Sequence, residues 1–307
     1  MKNEIRKTTF GSEVEYFNGK EWKSISQYKK GEKVLTFFQD DRHAELLEPT
    51  SYIRINKDSK LNKFISSVYS FSINEDAEFL GDYMASDGNS FLSAFTLHYA
   101  CSMDFNPFSH HKLYATFNYN TNTSSMLDNN RIRLMVMSII KGEINDSNKC
   151  VIKTDNAKEM NMYNKYLTRA RITDKNIVEK NGRYTIEYML PRGKKLFLGN
   201  PLIFNKQELT IVIDEIEHWS SGNKVVPLQA DCLDFLQMVY ARYGLKTIVN
   251  KEKKILRKFQ TAFTTITRNS CKVKHSKEKI QYSFTTRGGG IVLRNNGSIF
   301  VMSDYKK

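Results

Sequence analysis

The residues of this chain best suited to chemistry are cations, and most of them fall in one stretch. Between Lys246 and Lys279 stand eleven Lys or Arg residues (Lys246, Lys251, Lys253, Lys254, Arg257, Lys258, Arg268, Lys272, Lys274, Lys277 and Lys279) against Glu252 and Glu278. Ile255, Leu256, Phe259, Phe263 and Ile266 are interleaved with them, the pattern of strands with one buried side and one charged side. A smaller cluster, Arg169, Arg171, Lys175, Lys180 and Arg183, precedes it. Cations spaced along strands neutralise phosphates, so this pattern favours binding of a polyanion over bond making. The formal net charge of +14 over 307 residues points the same way. Nucleic acid is expected ahead of a membrane, because no long apolar run or basic amphipathic helix stands out. A merely solvated basic face, in a chain that uses Lys and Asn freely, is the competing reading.

One further cation stands apart. Lys141 closes the segment NRIRLMVMSIIKGE, where Ile132, Met135, Val136, Ile139 and Ile140 recur at helical spacing and Leu134 and Met137 fill most other sides. A helix apolar nearly all round must be buried, so Lys141-Gly142 marks where it emerges. Gly142 is expected in the left-handed C-terminal position. NKQELTIVIDEIEHW, Asn205 to Trp219, has a similar design, with Asn205 as N-cap and Glu208 completing a capping box, and it ends in Ser220-Ser221-Gly222. The two helices are expected to pack side by side. Other chemistry is sparse. Cys101, Cys150, Cys232 and Cys271 lack CxxC spacing and read as reduced, unpaired thiols. His98, His110 and His111 have no carboxylates at ligand spacing and read as turn or surface residues, so neither a metal nor a cofactor is expected.

RLMVMSIIKGEI resembles the first motif of the LAGLIDADG homing endonucleases, and IDEIEHWSSG resembles the second. The resemblance implies two αββαββα halves joined at the paired helices, with sheets lying in the major groove of DNA. It also implies an acidic metal ligand at each helix tip, yet Lys141 and Ser220 occupy those positions. Displaced acids, Glu143, Asp214 or Asp87, are the alternative ligands; Asp87 lies in GDYMASDG, a second stretch similar to the motif but overlapping a strand-like segment at Phe79 and Leu80. The order that follows the first motif suits one half: a strand at 149–154, a helix at 157–170 and a strand at 183–189. A second amphipathic helix, ADCLDFLQMVYARY, is stopped by Gly244 and followed by a strand at 245–249.

GSEVEYFNGKEWKSISQYKKGEKVLTF, from Gly11, is built of short strands and tight turns. With FSINEDAEFL and IQYSFTTRGGGIVLRNNGSIFVMSD it resembles the Hint fold of inteins. The family's chemistry needs a Cys or Ser nucleophile, a block histidine, a cyclising Asn and a following nucleophile; matched to this sequence these fall at Thr8, Ala77, Asp304 and Tyr305. None retains its chemistry, so splicing is not expected.

These readings combine into an α+β chain in which a split β-rich Hint-like domain (1–125 plus 280–307) encloses a pseudo-two-fold LAGLIDADG-like domain (126–279). The leading expectation is a monomeric, double-stranded-DNA-binding protein derived from an intein endonuclease, without splicing or cleavage and recruited by a phage or mobile element. An active Mg²⁺-dependent endonuclease and a protein-interaction module for an acidic partner are the alternatives. MKNEIRKTTF lacks the apolar core of a signal peptide, so a cytoplasmic location is expected.

Overall fold

The structure is a computed structural model and describes residues 7–56, 61–75, 77–84, 90–96, 110–119, 121, 124–198, 200–266 and 270–304. The chain divides into two compact units. The first is drawn from 1–119, 244–248 and 259–307, and the second from 120–243 and 249–258.

The first unit is β-rich because its sequence alternates short apolar runs with residues that reverse the chain. Glu15–Phe17 pairs with Trp22–Ser24 around Asn18 and Gly19, and Gly289–Asn295 pairs with Ser298–Ser303. In the second hairpin Asn296 and Gly297 both have positive φ, 49° and 71°, the backbone of a type I′ turn. Strands from the two ends of the chain interleave: Gly289–Asn295 pairs with both Glu15–Phe17 and Val34–Phe38, and Ser51–Asn56 pairs along its length with Ile280–Thr285. Their inward faces form one core that includes Phe10, Tyr16, Phe64, Phe71, Phe79, Leu293 and Phe300. Two further strands join here. Phe263–Ile266 pairs with His110–Tyr114, and Cys271–His275 pairs with Leu61–Ser66. The chain from 259 to 279 therefore belongs to this unit, whereas its charge had placed it in the insert. The reason is pairing: Ile266 and Cys271 are buried in the first unit's core. Gly81–Met84 is part of the strand Glu78–Met84, so this part of GDYMASDG is not helical; Asp87 lies outside the described residues.

The second unit opens with helix α1 (Asn129–Lys141), capped by the Asp128 side chain on the Arg131 N–H. Its Ile132, Leu134, Met135, Val136, Met137, Ile139 and Ile140 are all buried, and each such burial contributes roughly 1.5–3 kcal/mol relative to exposure. Then follow β1 (Glu143–Ile144), β2 (Lys149–Thr154), α2 (Ala157–Arg169), β3 (Lys175–Lys180), β4 (Arg183–Met189) and α3 (Lys194–Leu198). The four strands form one antiparallel sheet in the order β1-β2-β4-β3. The remainder is α4 (Lys206–Trp219), β5 (Lys224–Val225), a 3₁₀ turn at Ala230–Cys232, α5 (Leu233–Tyr243) and β6 (Ile255–Lys258). This second run departs from αββαββα. Between Trp219 and Ala230 it has one strand of two residues, β5, which pairs with β6. Ten intervening residues, with a positive-φ turn at Gly222 and Pro227 behind it, are too few for two full strands. Helices α1 and α4 pack on each other and are tied by Arg133, whose Nη1 donates to Glu215 at 2.9 Å.

Candidate functional site

The capping box at Asn205 starts α4: its side chain accepts from the Glu208 N–H at 3.0 Å, and Glu208 accepts from the Asn205 N–H at 3.0 Å. Glu208 is buried and also accepts from the hydroxyls of Ser124 and Ser125 at 3.0 and 2.8 Å. The start of α4 is thereby held to the segment leading into α1. At the other end, Trp219 Nε1 donates to Glu215 at 2.6 Å, and the indole stacks on Tyr163 with ring centroids 5.6 Å apart. The exposed Lys141 at the end of α1 holds its Nζ 5.7 Å from the centroid of this ring. The two tips thus meet as an exposed cation near an aromatic face, attracted by the ring quadrupole. Ser220 is otherwise engaged, its hydroxyl donating to the Glu217 carbonyl at 2.9 Å in its own helix.

Gly142 does not adopt the expected left-handed conformation; its φ is −108°. What requires glycine is space. A Cβ there would stand 2.4 Å from Cys150 Sγ and 2.7 Å from the Ser138 carbonyl oxygen. Beneath this contact Ser138 Oγ donates to the Leu134 carbonyl at 2.6 Å and lies 2.6 Å from the Tyr188 hydroxyl.

The sheet gives the unit one buried and one open face. Cys150, Ile152, Ile186 and Tyr188 are buried, so their register neighbours Lys149, Val151, Lys153, Arg183, Thr185, Glu187 and Met189 share the opposite face. β3 adds Asn176, Val178 and Lys180 to that face, with Asn176 opposite Glu187 and Lys180 opposite Arg183. Lys149 pairs with Glu187 at 2.7 Å and lowers the pKa of that carboxyl. At the edge, Lys153, Thr154, Asp155, Arg183, Tyr184 and Thr185 line a cleft of ≈ 360 Å³.

The predicted cations have different fates. Lys180 and Arg183 sit on the open face, and Arg169 and Arg171 are exposed where α2 ends, Arg171 with a φ of 57°. Lys175 is turned to the helix side, its Nζ donating to Asn164 at 2.5 Å and Thr168 at 3.3 Å. In the second run, Arg257, Lys253 and Lys254 are exposed, and Lys251 pairs with Asp234 at 3.2 Å. Lys258 is buried against Glu217, which also accepts from the Tyr240 hydroxyl at 2.6 Å; burial lowers the lysine's pKa. Lys246, Lys272 and Lys274 belong to the first unit. There Lys246 is buried with its Nζ 5.0 Å from the Phe259 ring, and burial lowers its pKa, while the other two are exposed on Cys271–His275. Arg268 lies outside the described residues. Sequence reasoning passed over Lys149, Lys153, Asn176 and Thr185, although alternation with Cys150 and Ile152 marks both lysines as outward.

Of the acids considered as ligands, Glu143 is exposed one residue past Gly142. Asp214 is exposed five residues before Trp219, about 7.5 Å along the helix. Among the described residues no three His, Cys, Asp or Glu side chains converge as a metal site would require. His110 and His111 fall in the strand His110–Tyr114, and His98 and Cys101 lie outside the described residues. Cys150, Cys232 and Cys271 are buried.

In the first unit three of the positions matched to splicing residues come together. The Thr8 N–H donates to the Asp304 carbonyl at 3.1 Å. Asn74 bridges the segment, its Nδ2 donating to the Lys7 carbonyl at 3.2 Å and its Oδ1 accepting from the Thr9 N–H at 2.8 Å, while its own carbonyl accepts from the Ala77 N–H. Asp304 Oδ2 accepts from the Thr286 N–H, and from the Thr286 hydroxyl at 2.8 Å. Thr8 Oγ1 and Asp304 Oδ1 are buried without a partner among the described residues, and burial raises the Asp304 pKa. Tyr305 lies outside them.

No family model matches the chain, and no curated protein matches it. Among solved structures it is similar to one described as an AceL NrdHF class 3 split intein, a GSH-linked splice-inactive variant. The match covers 96% of this chain and 97% of that one at 6% identity, with a TM-score of 0.37, too low to carry an argument about fold or function. No helix among the described residues is long and apolar enough to cross a membrane.

Proposed function

We propose that this chain is a double-stranded-DNA-binding protein of LAGLIDADG ancestry, in which a Hint-like first unit is retained as scaffold and neither unit performs its ancestral chemistry. One observation carries this reading: the run α1-β1-β2-α2-β3-β4-α3 hangs a four-stranded sheet with Lys149, Lys153, Lys180 and Arg183 on its open face beside paired helices ending in Lys141 and Ser220. A cationic sheet presents donors to phosphates and base edges. Lys141, held on the Trp219 ring, offers an ammonium where a nuclease of that kind would hold Mg²⁺ between carboxylates, and Mg²⁺ demands hard oxygen ligands. Binding therefore proceeds by direct ion pairing. The missing imidazole at Ala77 and the secondary alcohol of Thr8 argue against acyl transfer in the first unit.

A second reading, a metal-dependent nuclease, is favoured by Glu143 alone, which stands next to the first tip. The test is duplex binding and cleavage over a range of salt, in Mg²⁺ and in EDTA. The proposal expects binding that weakens steeply with salt, is indifferent to the metal and leaves the duplex intact. Mg²⁺-dependent nicking would establish the nuclease instead, and binding insensitive to salt would remove DNA as the partner.

A further inference from the structure

We infer, resting on the DNA-binding reading above, that base sequence is read by one side of the second unit only: the sheet β1-β2-β4-β3 specifies base pairs, and the shortened second run holds phosphates. The occupant is a B-form duplex. Strands β2, β3 and β4 are six, six and seven residues long. At about 3.3 Å per residue they run roughly 20 Å, the rise of about six base pairs at about 3.4 Å each. Two neighbouring strands, about 5 Å apart, fit a major groove about 12 Å wide. The chemistry of the open face is mixed. Besides its cations it carries Asn176, Thr185 and Glu187, with Val151, Val178 and Met189 between them, and Val178 and Met189 are about half exposed, 47% and 45%. Amide, hydroxyl and carboxylate groups discriminate base edges by hydrogen bonding, and apolar side chains recognise the thymine methyl.

The second run offers a different surface. β5 and β6 share two paired positions; at one, Val225 and Leu256 are both buried, and at the other, Lys224 and Arg257 are both exposed. Beyond them the exposed turn carries Lys253 and Lys254, with Glu252 beside them and Lys251 paired with Asp234. This side is short and presents a row of positive charge, which grips a phosphate backbone whatever the sequence. A site with one specified side and one merely neutralised side follows from the difference in strand length.

Selection from a randomised duplex pool, with hydroxyl-radical footprinting of the selected fragments, tests this. The expected result is one contiguous block of about six specified base pairs, with protection continuing on one side of it where no base is preferred. Replacing Asn176→Ala together with Thr185→Ala should flatten that block by about ten-fold or more in discrimination while leaving the salt slope unchanged. Replacing Lys253→Ala together with Lys254→Ala should weaken all duplexes alike and lower the slope by about two units. Two equally specified blocks, or loss of base preference in the lysine variant alone, would overturn the inference with DNA binding intact. Retention of no duplex at all by the wild-type protein would overturn the DNA-binding reading itself.

Discussion

A lysine at the end of a buried helix does different work from an aspartate there. Lys141 is exposed, lies over the Trp219 ring and is free to meet an anion in place of holding a metal. Lys141→Asp should therefore weaken duplex affinity in EDTA and lower the slope of log K against log salt by about one unit, read by anisotropy across a salt series. Equal metal-free affinity in the variant would refute a phosphate contact at this residue. Asp304 makes a second residue-level point. Burial raises its folded pKa above that of the unfolded chain, so the folded state binds the proton more tightly. Its contribution to stability is then fully present below the unfolded value, near 3.9, and is lost as pH rises through the folded value. Asp304→Asn keeps an oxygen for the Thr286 donors and removes the titration. The variant should be the more stable at pH 7, with its advantage in Tm shrinking toward pH 4; an advantage independent of pH would exclude this cause.

At the scale of the element, the junction between α1 and the sheet is set by close approach. Gly142 leaves the helix in an extended conformation and admits Cys150 Sγ and the Ser138 carbonyl where a Cβ would stand. Gly142→Ala should destabilise the fold by roughly 1–3 kcal/mol, the usual scale of overpacking, measured by urea denaturation. Adding Cys150→Ala removes the closer of the two obstacles, so the pair should cost less than the sum of the single changes. Simple additivity would mean that the glycine is needed for another reason. The same junction explains a failed expectation: glycine after a helical run suggests a positive φ, but here contact with a neighbouring strand selects it.

For the molecule as a whole, the formal charge of +14 is divided between two units, so a charge total is a poor map of a binding surface. The basic run from 246 to 279 supplies Lys272 and Lys274 to a strand of the first unit, and Lys258 to a buried pair with Glu217. Of the run's eleven cations, Lys251, Lys253, Lys254, Arg257 and Lys258 lie in the second unit, and Lys258 is buried. The cations of the sheet, of the Lys141 tip and of the second run should accordingly set the wild-type salt slope, at about 0.9 per phosphate contact. Replacing Lys272→Ala together with Lys274→Ala should leave that slope unchanged; a drop of about two units would show that the first unit's lysines also meet the duplex.

Periodicity by itself determined the elements that depend on local pattern: the two apolar helices, the Asn205 capping box, the strands at 149–154 and 183–189, and the β-rich character of both chain ends. Those features rest on side-chain spacing and caps within a few residues, which sequence displays directly. Sequence also placed Lys141 and Ser220 at the ends of the two helices. Tertiary structure decided the rest. Strand partners far apart in sequence, Phe263–Ile266 with His110–Tyr114 and Cys271–His275 with Leu61–Ser66, drew 259–279 into the first unit, and Asn74 met the Lys7 carbonyl only because the chain folds back on itself. Which face of β3 is open, and hence that Lys175 turns inward to Asn164 and Thr168, depended on where α2 packs. A charged side chain reads the same in sequence on either face of a sheet, and only burial of its neighbours tells the two apart.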